Sequence, residues 1–246
     1  MARQILYAGD TALRESASYL AGVMQHFGIE YDYVASNQLF PQPDGYRGVV
    51  ISDYPARNFP PGSLEDLATR ISGGLGLFMI GGWESFTGAA GEYTNTVLRD
   101  VLPVSMQSQD DRINCAQPCL IEKQLDHPTV WGLPFDEVCP GIGGYNRLTT
   151  RPAATEVLSA VSFGVTRRAQ EYRFSPRQKS PLLVVGQHGS GRVAAFASDV
   201  APHWIGGLVD WGDSRVAACG PGANPIEVGS WYARLFFQIL SWTANP

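Results

Sequence analysis

The sequence predicts an α/β fold in which a mostly parallel sheet is covered by helices on both faces, with β-hairpin additions in the C-terminal half. Three observations carry this. Short, almost wholly apolar runs such as Gly48-Val-Val-Ile-Ser52 and Leu75-Gly-Leu-Phe-Met-Ile80 suit strands buried on both sides. Amphipathic helical stretches alternate with such runs through the first hundred residues. His188-Gly-Ser-Gly191 separates two further apolar runs and reads as a hairpin turn.

The elements follow in order. Residues 3–9 form a first strand. A helix over 15–27 places Ala17, Leu20, Ala21, Met24 and Phe27 on one face, and Gly28 stops it. Residues 29–34 and 48–53 give two more strands. Pro60-Pro-Gly-Ser63 opens a second helix with Ser63 as its N-cap, Leu64, Leu67, Ala68 and Ile71 as its apolar stripe, and Gly73-Gly74 as its end. Residues 75–80 are the fourth strand and 94–100 a short helix. Strands are then expected at 118–122, 145–149, 156–162, 182–187 and 192–198, and a closing helix at 230–242. Residues 206–225, with five Gly and two Pro, read as a long surface loop. No linker divides the chain, so residues 1–246 are expected to form a single domain.

Composition narrows the function. The chain is 44% hydrophobic and carries a net charge of −5, so it can bury a large core. It shows no clustered Lys and Arg of the kind polyanions require, which argues against nucleic acid as a partner. No apolar run approaches the roughly 20 residues of a membrane helix. The run Ile5-Leu-Tyr-Ala8 is too short for a signal-peptide core. A cytoplasmic protein without membrane attachment is expected. Cys115, Cys119, Cys139 and Cys219 have no common zinc spacing. They read as free thiols, with no metal and no cofactor implied. Six Trp, ten Tyr and 27 Gly leave room for a self-association surface, and a homo-oligomer is expected.

In an open parallel sheet, ligands bind beyond the carboxyl ends of the strands. Four strand ends offer a carboxylate there: Asp10, Asp53, Glu84 and Asp199. Trp83, Ser85, His203 and Trp204 lie beside them. Rings next to carboxylates suit a small polar molecule, whose apolar face the ring covers while the carboxylates take its hydroxyls or its charge. Each acid also has a structural reading, as a helix cap or a turn. Glu84, Asp199 and His203 are the candidates for acid–base work. Ser85 as a nucleophile, and a Cys219–His203 pair, are weaker alternatives.

The phrase Gly73-Gly-Leu-Gly-Leu-Phe-Met-Ile-Gly-Gly-Trp-Glu-Ser-Phe86, followed by Val97-Leu-Arg-Asp-Val-Leu-Pro-Val104, resembles the glutamine amidotransferase-like bacterial proteins. Asp126-His-Pro-Thr-Val-Trp-Gly-Leu133, Gly186-Gln-His-Gly-Ser-Gly-Arg-Val193, Ser198-Asp199 and the opening Ile5-Leu-Tyr-Ala-Gly-Asp10 add to the likeness. Wider relatives are the class I glutamine amidotransferases and the ThuA-like proteins. The resemblance implies a flavodoxin-like three-layer α/β/α fold. In class I amidotransferases a G-x-C-x-G elbow carries a cysteine nucleophile, with His and Glu as partners. Here Gly81-Gly82 stands at the elbow by strand register, and no His-x-Glu pair closes the chain. The resemblance therefore implies a relative that binds a small polar metabolite, such as a sugar, without the Cys-His-Glu triad. The alternatives are a hydrolase or isomerase using carboxylates and His203, with or without a metal, and a structural protein of an oligomer.

Overall fold

In the computed structural model, residues 4–244 are described; the expected start of the first strand at Arg3 lies outside them. The elements run β1 (Ile5–Gly9), α1 (Ser18–His26), β2 (Tyr31–Ala35), β3 (Gly48–Ser52), α2 (Ser63–Ser72), β4 (Gly76–Ile80), α3 (Leu98–Val101), β5 (Val104–Ser105) and β6 (Arg112–Lys123). They continue with β7 (Gly141–Asn146), β8 (Thr149–Thr150), β9 (Thr155–Arg168), β10 (Glu171–His188), β11 (Gly191–Phe196), α4 (Pro202–Ile205), β12 (Arg215–Ala218), β13 (Ile226–Gly229) and α5 (Ser230–Ala244).

Nine strands form one sheet in the order β2-β1-β3-β4-β11-β10-β9-β6-β7. The first five are mutually parallel, and the other four are joined antiparallel. The expected α/β sheet with hairpin additions is therefore the observed one, and β11, though it comes from a hairpin, completes the parallel half. β1, β3 and β4 are buried at every position, as strands covered on both faces must be. Helix α5 lies on β3, β4 and β11 and packs with α1; α2 packs with α3. Gly76 lets β4 approach α5 closely, since a Cβ there would sit 2.2 Å from the Thr243 carbonyl oxygen. Phe196 of β11 meets Phe236 of α5 edge to face. Among the described residues, no helix is long and apolar enough to cross a membrane.

Several local expectations are corrected. Ser63 is the first residue of α2 rather than its cap. Gly62, at φ 81°, occupies the cap position, and the Ser63 hydroxyl donates back to the Pro60 carbonyl at 2.6 Å. The 94–100 helix is a 3-10 turn (Tyr93–Asn95) followed by α3. The 145–149 strand is split between β7 and β8. The 206–225 segment is not a plain loop. It holds a 3-10 turn at Gly206–Asp210 and then β12, which pairs with β13. Trp211 anchors it by burying its ring, with the indole N–H on the Val138 carbonyl at 2.6 Å. β9 and β10 run far beyond their predicted ends, because backbone pairing extends past the apolar stretch. Residues 165–179 are all exposed, and β6 pairs with β9 only as far as Val161. The hairpin tip thus leaves the body as an arm.

Candidate functional site

The chain runs from β1 to β2 on one side of the sheet and returns to β3 on the other side of β1. The strand order reverses there, which is where ligands bind in open α/β sheets. Asp10 follows β1 and Asp53 follows β3, so the two acids stand on either side of the reversal. Glu84 follows β4 and Asp199 follows β11, the next two strands in the sheet.

The bend after β4 explains how Asp53 is held. Asp53 has φ 51°, a left-handed conformation that Asp tolerates better than most residues. That turn folds its carboxylate over Gly82. A Cβ on Gly82 would lie 2.2 Å from Oδ1 and 2.3 Å from Oδ2 of Asp53. The carboxylate accepts the backbone N–H of Glu84 at 2.8 Å and that of Trp83, and the Asp53 N–H goes to the Ser85 hydroxyl at 2.9 Å. Gly81 is equally confined, its missing Cβ falling 2.3 Å from the Ala197 carbonyl and 2.6 Å from Oδ1 of Asn146.

Asn146, at the end of β7, clasps the bend from the other half of the sheet. Its Oδ1 accepts from the Gly82 N–H at 2.9 Å, while its amide donates to the Gly82 carbonyl at 3.1 Å and to Asp111 Oδ1 at 2.7 Å. Asp111 in turn accepts the N–H groups of Gly88 at 2.9 Å and Thr87 at 3.2 Å. The segment held this way is strained, with Phe86 at φ 50° and Glu92 at φ 60°. Such conformations in a bulky or unsupported residue cost on the order of 1–3 kcal/mol and persist where the surroundings over-determine them.

The carboxylates beyond these strands act on one another. Burial, followed by the charges of Asp53, Glu15 and Glu84, pushes Asp10 up to about 7. Asp53 is pushed up to about 6, mainly by burial and against the two N–H groups it accepts. Asp199 is buried completely and held well above the usual carboxylate range by desolvation and then by Asp53, with Asp10 adding to it. Its Oδ1 accepts from Val200 N at 2.5 Å and Ala201 N at 3.3 Å, whereas Oδ2 has no hydrogen-bond partner. Nδ1 of His203 lies 3.5 Å from that oxygen. Burial lowers the His203 pKa and raises that of Asp199, so both shifts work against a full ion pair across this contact. Glu84 is more open and pairs with Arg57 Nη2 at 2.9 Å.

Tyr7 belongs to the same cluster and was not legible as a site residue. It is wholly buried, its hydroxyl has no partner, and its ionisation is opposed by burial and by Tyr33, Asp10 and Asp199. Its ring meets that of Tyr33 edge to face at 5.2 Å. Gly9 makes room for both rings, since a Cβ there would fall 2.9 Å from Tyr7 and 3.0 Å from Tyr33. The Tyr33 hydroxyl donates to the Asp10 carbonyl. The only hint in the sequence is a tyrosine inside an otherwise apolar strand.

The other expected site residues are placed differently. Trp83 is 48% exposed, with the Arg112 guanidinium 4.3 Å from its ring centroid. Trp204 is buried with its ring against Gly144 and its N–H on Asn114 Oδ1 at 2.8 Å, which makes it a packing residue. Ser85 is buried and occupied by the Asp53 N–H. Cys219 lies beside Tyr31 of β2, whereas His203 sits over β7, so these two are not brought together. Among the described residues, no three His, Cys, Asp or Glu side chains are grouped to hold one metal ion.

Comparison with known proteins accords with this architecture. A family model described as "Putative glutamine amidotransferase" matches residues 34–219. The cytoplasmic protein STM3548 from Salmonella typhimurium superposes with a TM-score of 0.75 at 26% identity, over 98% of each chain. The cytoplasmic protein STM1381 from Salmonella typhimurium LT2 gives 0.67 at 29% identity, over 82% of this chain and 90% of that one. A ThuA-like protein from Parabacteroides merdae gives 0.63 at 11% identity, over 100% and 91%, a likeness of fold alone. No curated protein matches the chain.

Two outcomes follow from the geometry. Gly82→Ala forces a methyl group into the Asp53 carboxylate and should lower stability by about 1–3 kcal/mol, seen as a fall in melting temperature of roughly 3–10 °C. In an Asp53→Ala background the same substitution should lose much of its effect, and an undiminished effect would show that backbone strain, not the carboxylate, sets it. The second concerns pH. Folded Asp10 keeps its proton to about pH 7, whereas in the unfolded chain it ionises near 3.8. The folded state therefore binds more protons between these values, and stability falls as pH rises through the window. Asp10→Asn should melt close to wild type at pH 4 and above it at pH 8, by about 1–3 kcal/mol after allowance for solvent screening. Melting curves across that range check it, and an unchanged slope would contradict it.

Proposed function

Because the chain belongs to the glutamine amidotransferase-like family, we propose that its strand-end cluster binds a small polar, polyhydroxyl metabolite, and that it does not hydrolyse glutamine through a thiol. One observation carries the binding reading. Among the described residues, Tyr7 Oη and Asp199 Oδ2 are both fully buried without hydrogen-bond partners, and each is electrostatically linked to Asp10. A buried polar group left without a partner costs about 1–3 kcal/mol, and a ligand that satisfies two of them recovers that energy as affinity. A protonated Asp199 and Tyr7 offer donors, while Asp53 and Asp10 offer acceptors. That mixture suits neighbouring hydroxyl groups, each of which donates and accepts.

The second half of the proposal rests on the bend. The space beside Gly82 is filled by Asp53. Cys115 and Cys119 lie on β6, and Cys139 and Cys219 are in other segments, far in sequence from the β4 bend. Acid–base chemistry is the second reading, favoured by the Asp199–His203 contact, in which a carboxyl with a raised pKa faces an imidazole with a lowered one. Self-association is the third. The arm exposes Tyr172 at 60% and Phe174 at 67%, and residues 163–179 hold five of the chain's 18 Lys and Arg with Glu171 as the one acid, which corrects the expectation that basic residues are not clustered. A basic, aromatic arm on an otherwise acidic chain is complementary to a second copy. The description of its two Salmonella neighbours as cytoplasmic proteins supports a cytoplasmic location for this one.

A thermal-shift screen of monosaccharides, disaccharides, polyols and amino acids tests the binding reading, since a ligand of the native state raises its melting temperature. A sugar or polyol should stabilise the wild type, and Tyr7→Phe should weaken its affinity about tenfold or more. Equal shifts in both proteins, or none in the wild type, would sink this reading. Ammonia release from glutamine that iodoacetamide abolishes would sink the thiol-free half. For the arm, light scattering after size exclusion should show an oligomer that Phe174→Asp reduces to monomers; a monomeric wild type refutes the association.

A further inference from the structure

The geometry points to Cys115 and Cys119 as a redox-active dithiol that exchanges with a small anionic disulfide bound in the adjoining cavity. Their sulfurs are 3.5 Å apart, which a regular strand does not allow. Residues four apart on one strand are separated by about 13 Å at 3.3 Å per residue. Here β6 departs from regularity. Its pairing with β7 passes from Asn114↔Gly144 directly to Cys119↔Ile142, so five residues of β6 are spanned by two of β7. The three extra residues throw Cys115-Ala-Gln-Pro118 into a bulge, and the bulge brings the two thiols together.

The pair is asymmetric in the way thiol exchange requires. Cys115 is half-buried and reachable, while Cys119 is buried. The two thiols are within hydrogen-bond reach, so whichever ionises is stabilised by the other. Exposure decides the roles: Cys115 is the attacking sulfur and the buried Cys119 the resolving one. Both line a cavity of about 550 Å³ between β6 and the arm, shared with Tyr145, Arg147, Phe163 and Arg177. The Arg177 side chain lies against Gly164, where a Cβ would come within 2.5 Å of its Nε. Two guanidinium groups in one cavity select a ligand that carries carboxylates.

The exchange balances as follows. The Cys115 thiolate attacks one sulfur of the disulfide RS–SR, forming Cys115–S–SR and releasing RS⁻. Cys119, giving up its proton, attacks the Cys115 sulfur and expels the second RS⁻. Counting the proton that Cys115 sheds to water on ionising, the protein gives up two electrons and two protons, and the two RS⁻ take up those protons to become two thiols. In a reducing compartment such a protein disulfide is transient.

Glutathione disulfide is the probe, and 2-hydroxyethyl disulfide is its uncharged counterpart. After reaction and alkylation, peptide mass spectrometry of the whole chain should find a Cys115–Cys119 link, with Cys139 and Cys219 alkylated or singly adducted. Cys119→Ser should accumulate a stable mixed disulfide at Cys115, and Cys115→Ser should slow modification of Cys119 at least tenfold. Arg177→Ala should slow the reaction with glutathione disulfide at least threefold and leave that with the uncharged disulfide unchanged. A link between other cysteines, or Cys115 reacting no faster than Cys139 or Cys219, overturns the dithiol. Equal effects of Arg177→Ala on the two probes overturn the anionic ligand. Both serine variants are nearly isosteric, and their melting temperatures show directly whether they fold.

Discussion

A carboxylate stands where a side chain would otherwise project at the bend after β4, and the site is built around that substitution. Gly82 has no Cβ, so Asp53 can turn over it and take the N–H groups of Trp83 and Glu84. The ends of β3 and β4 are thereby tied together. The same glycine is held on its other side by Asn146, and through Asn146 by Asp111. One bend thus joins the parallel half of the sheet to the antiparallel half. Hydrogen bonds of this kind add only about 0.5–1.5 kcal/mol each, but a buried carboxylate or amide deprived of its partners is far more damaging. The network therefore fixes position more than it adds stability.

That fixed position gathers acidic groups that repel one another. The structure answers the repulsion by favouring their protonated forms: Asp199 is held well above the usual carboxylate range, and Asp10 and Asp53 are pushed up to about 7 and about 6. A fold selected for stability alone would neutralise such a cluster with cations or replace it with apolar residues. Here Arg57 reaches only the outermost member, Glu84. Retaining buried acids and an unpartnered tyrosine hydroxyl at a topological switch point costs stability, and that cost is what the proposed ligand would offset.

Much of the fold could be read from the sequence, because strands buried on both faces advertise themselves as unbroken apolar runs. Gly48–Ser52 and Gly76–Ile80 are of this type. The acids at strand ends were legible for a related reason: once the strands are placed, the next polar residue is named automatically. What escaped was set by tertiary contact. Ser63 has the chemistry of a cap, but Gly62 has the backbone freedom, and the backbone decided. Asp111 and Asn146 lie 35 residues apart and meet only when β6 and β7 pair. The extent of β9 and β10 was hidden because their outer halves carry polar residues on a backbone that needs no apolar signal to keep pairing. The meeting of Cys115 with Cys119 depends on a bulge that local spacing does not announce.

The sheet's seam also explains why the bend carries two glycines rather than larger residues. β11 lies beside β4, and the Gly81 N–H reaches the carbonyls of Phe196 and Ser198 at 2.8 and 3.0 Å. The bend is consequently pinned by backbone groups from the neighbouring strand as well as by Asp53 and Asn146. A side chain projecting there would have to displace the Ala197 carbonyl, the Asn146 amide or the Asp53 carboxylate. Placing an attacking side chain there is therefore not a matter of one substitution. At Gly82 it would require Asp53 to leave, and with it the tie between β3 and β4; at Gly81 it would require the Ala197 carbonyl and the Asn146 amide to move. Under the proposed reading a ligand is gripped by the surrounding acids, because the few cubic ångströms at the bend are already taken.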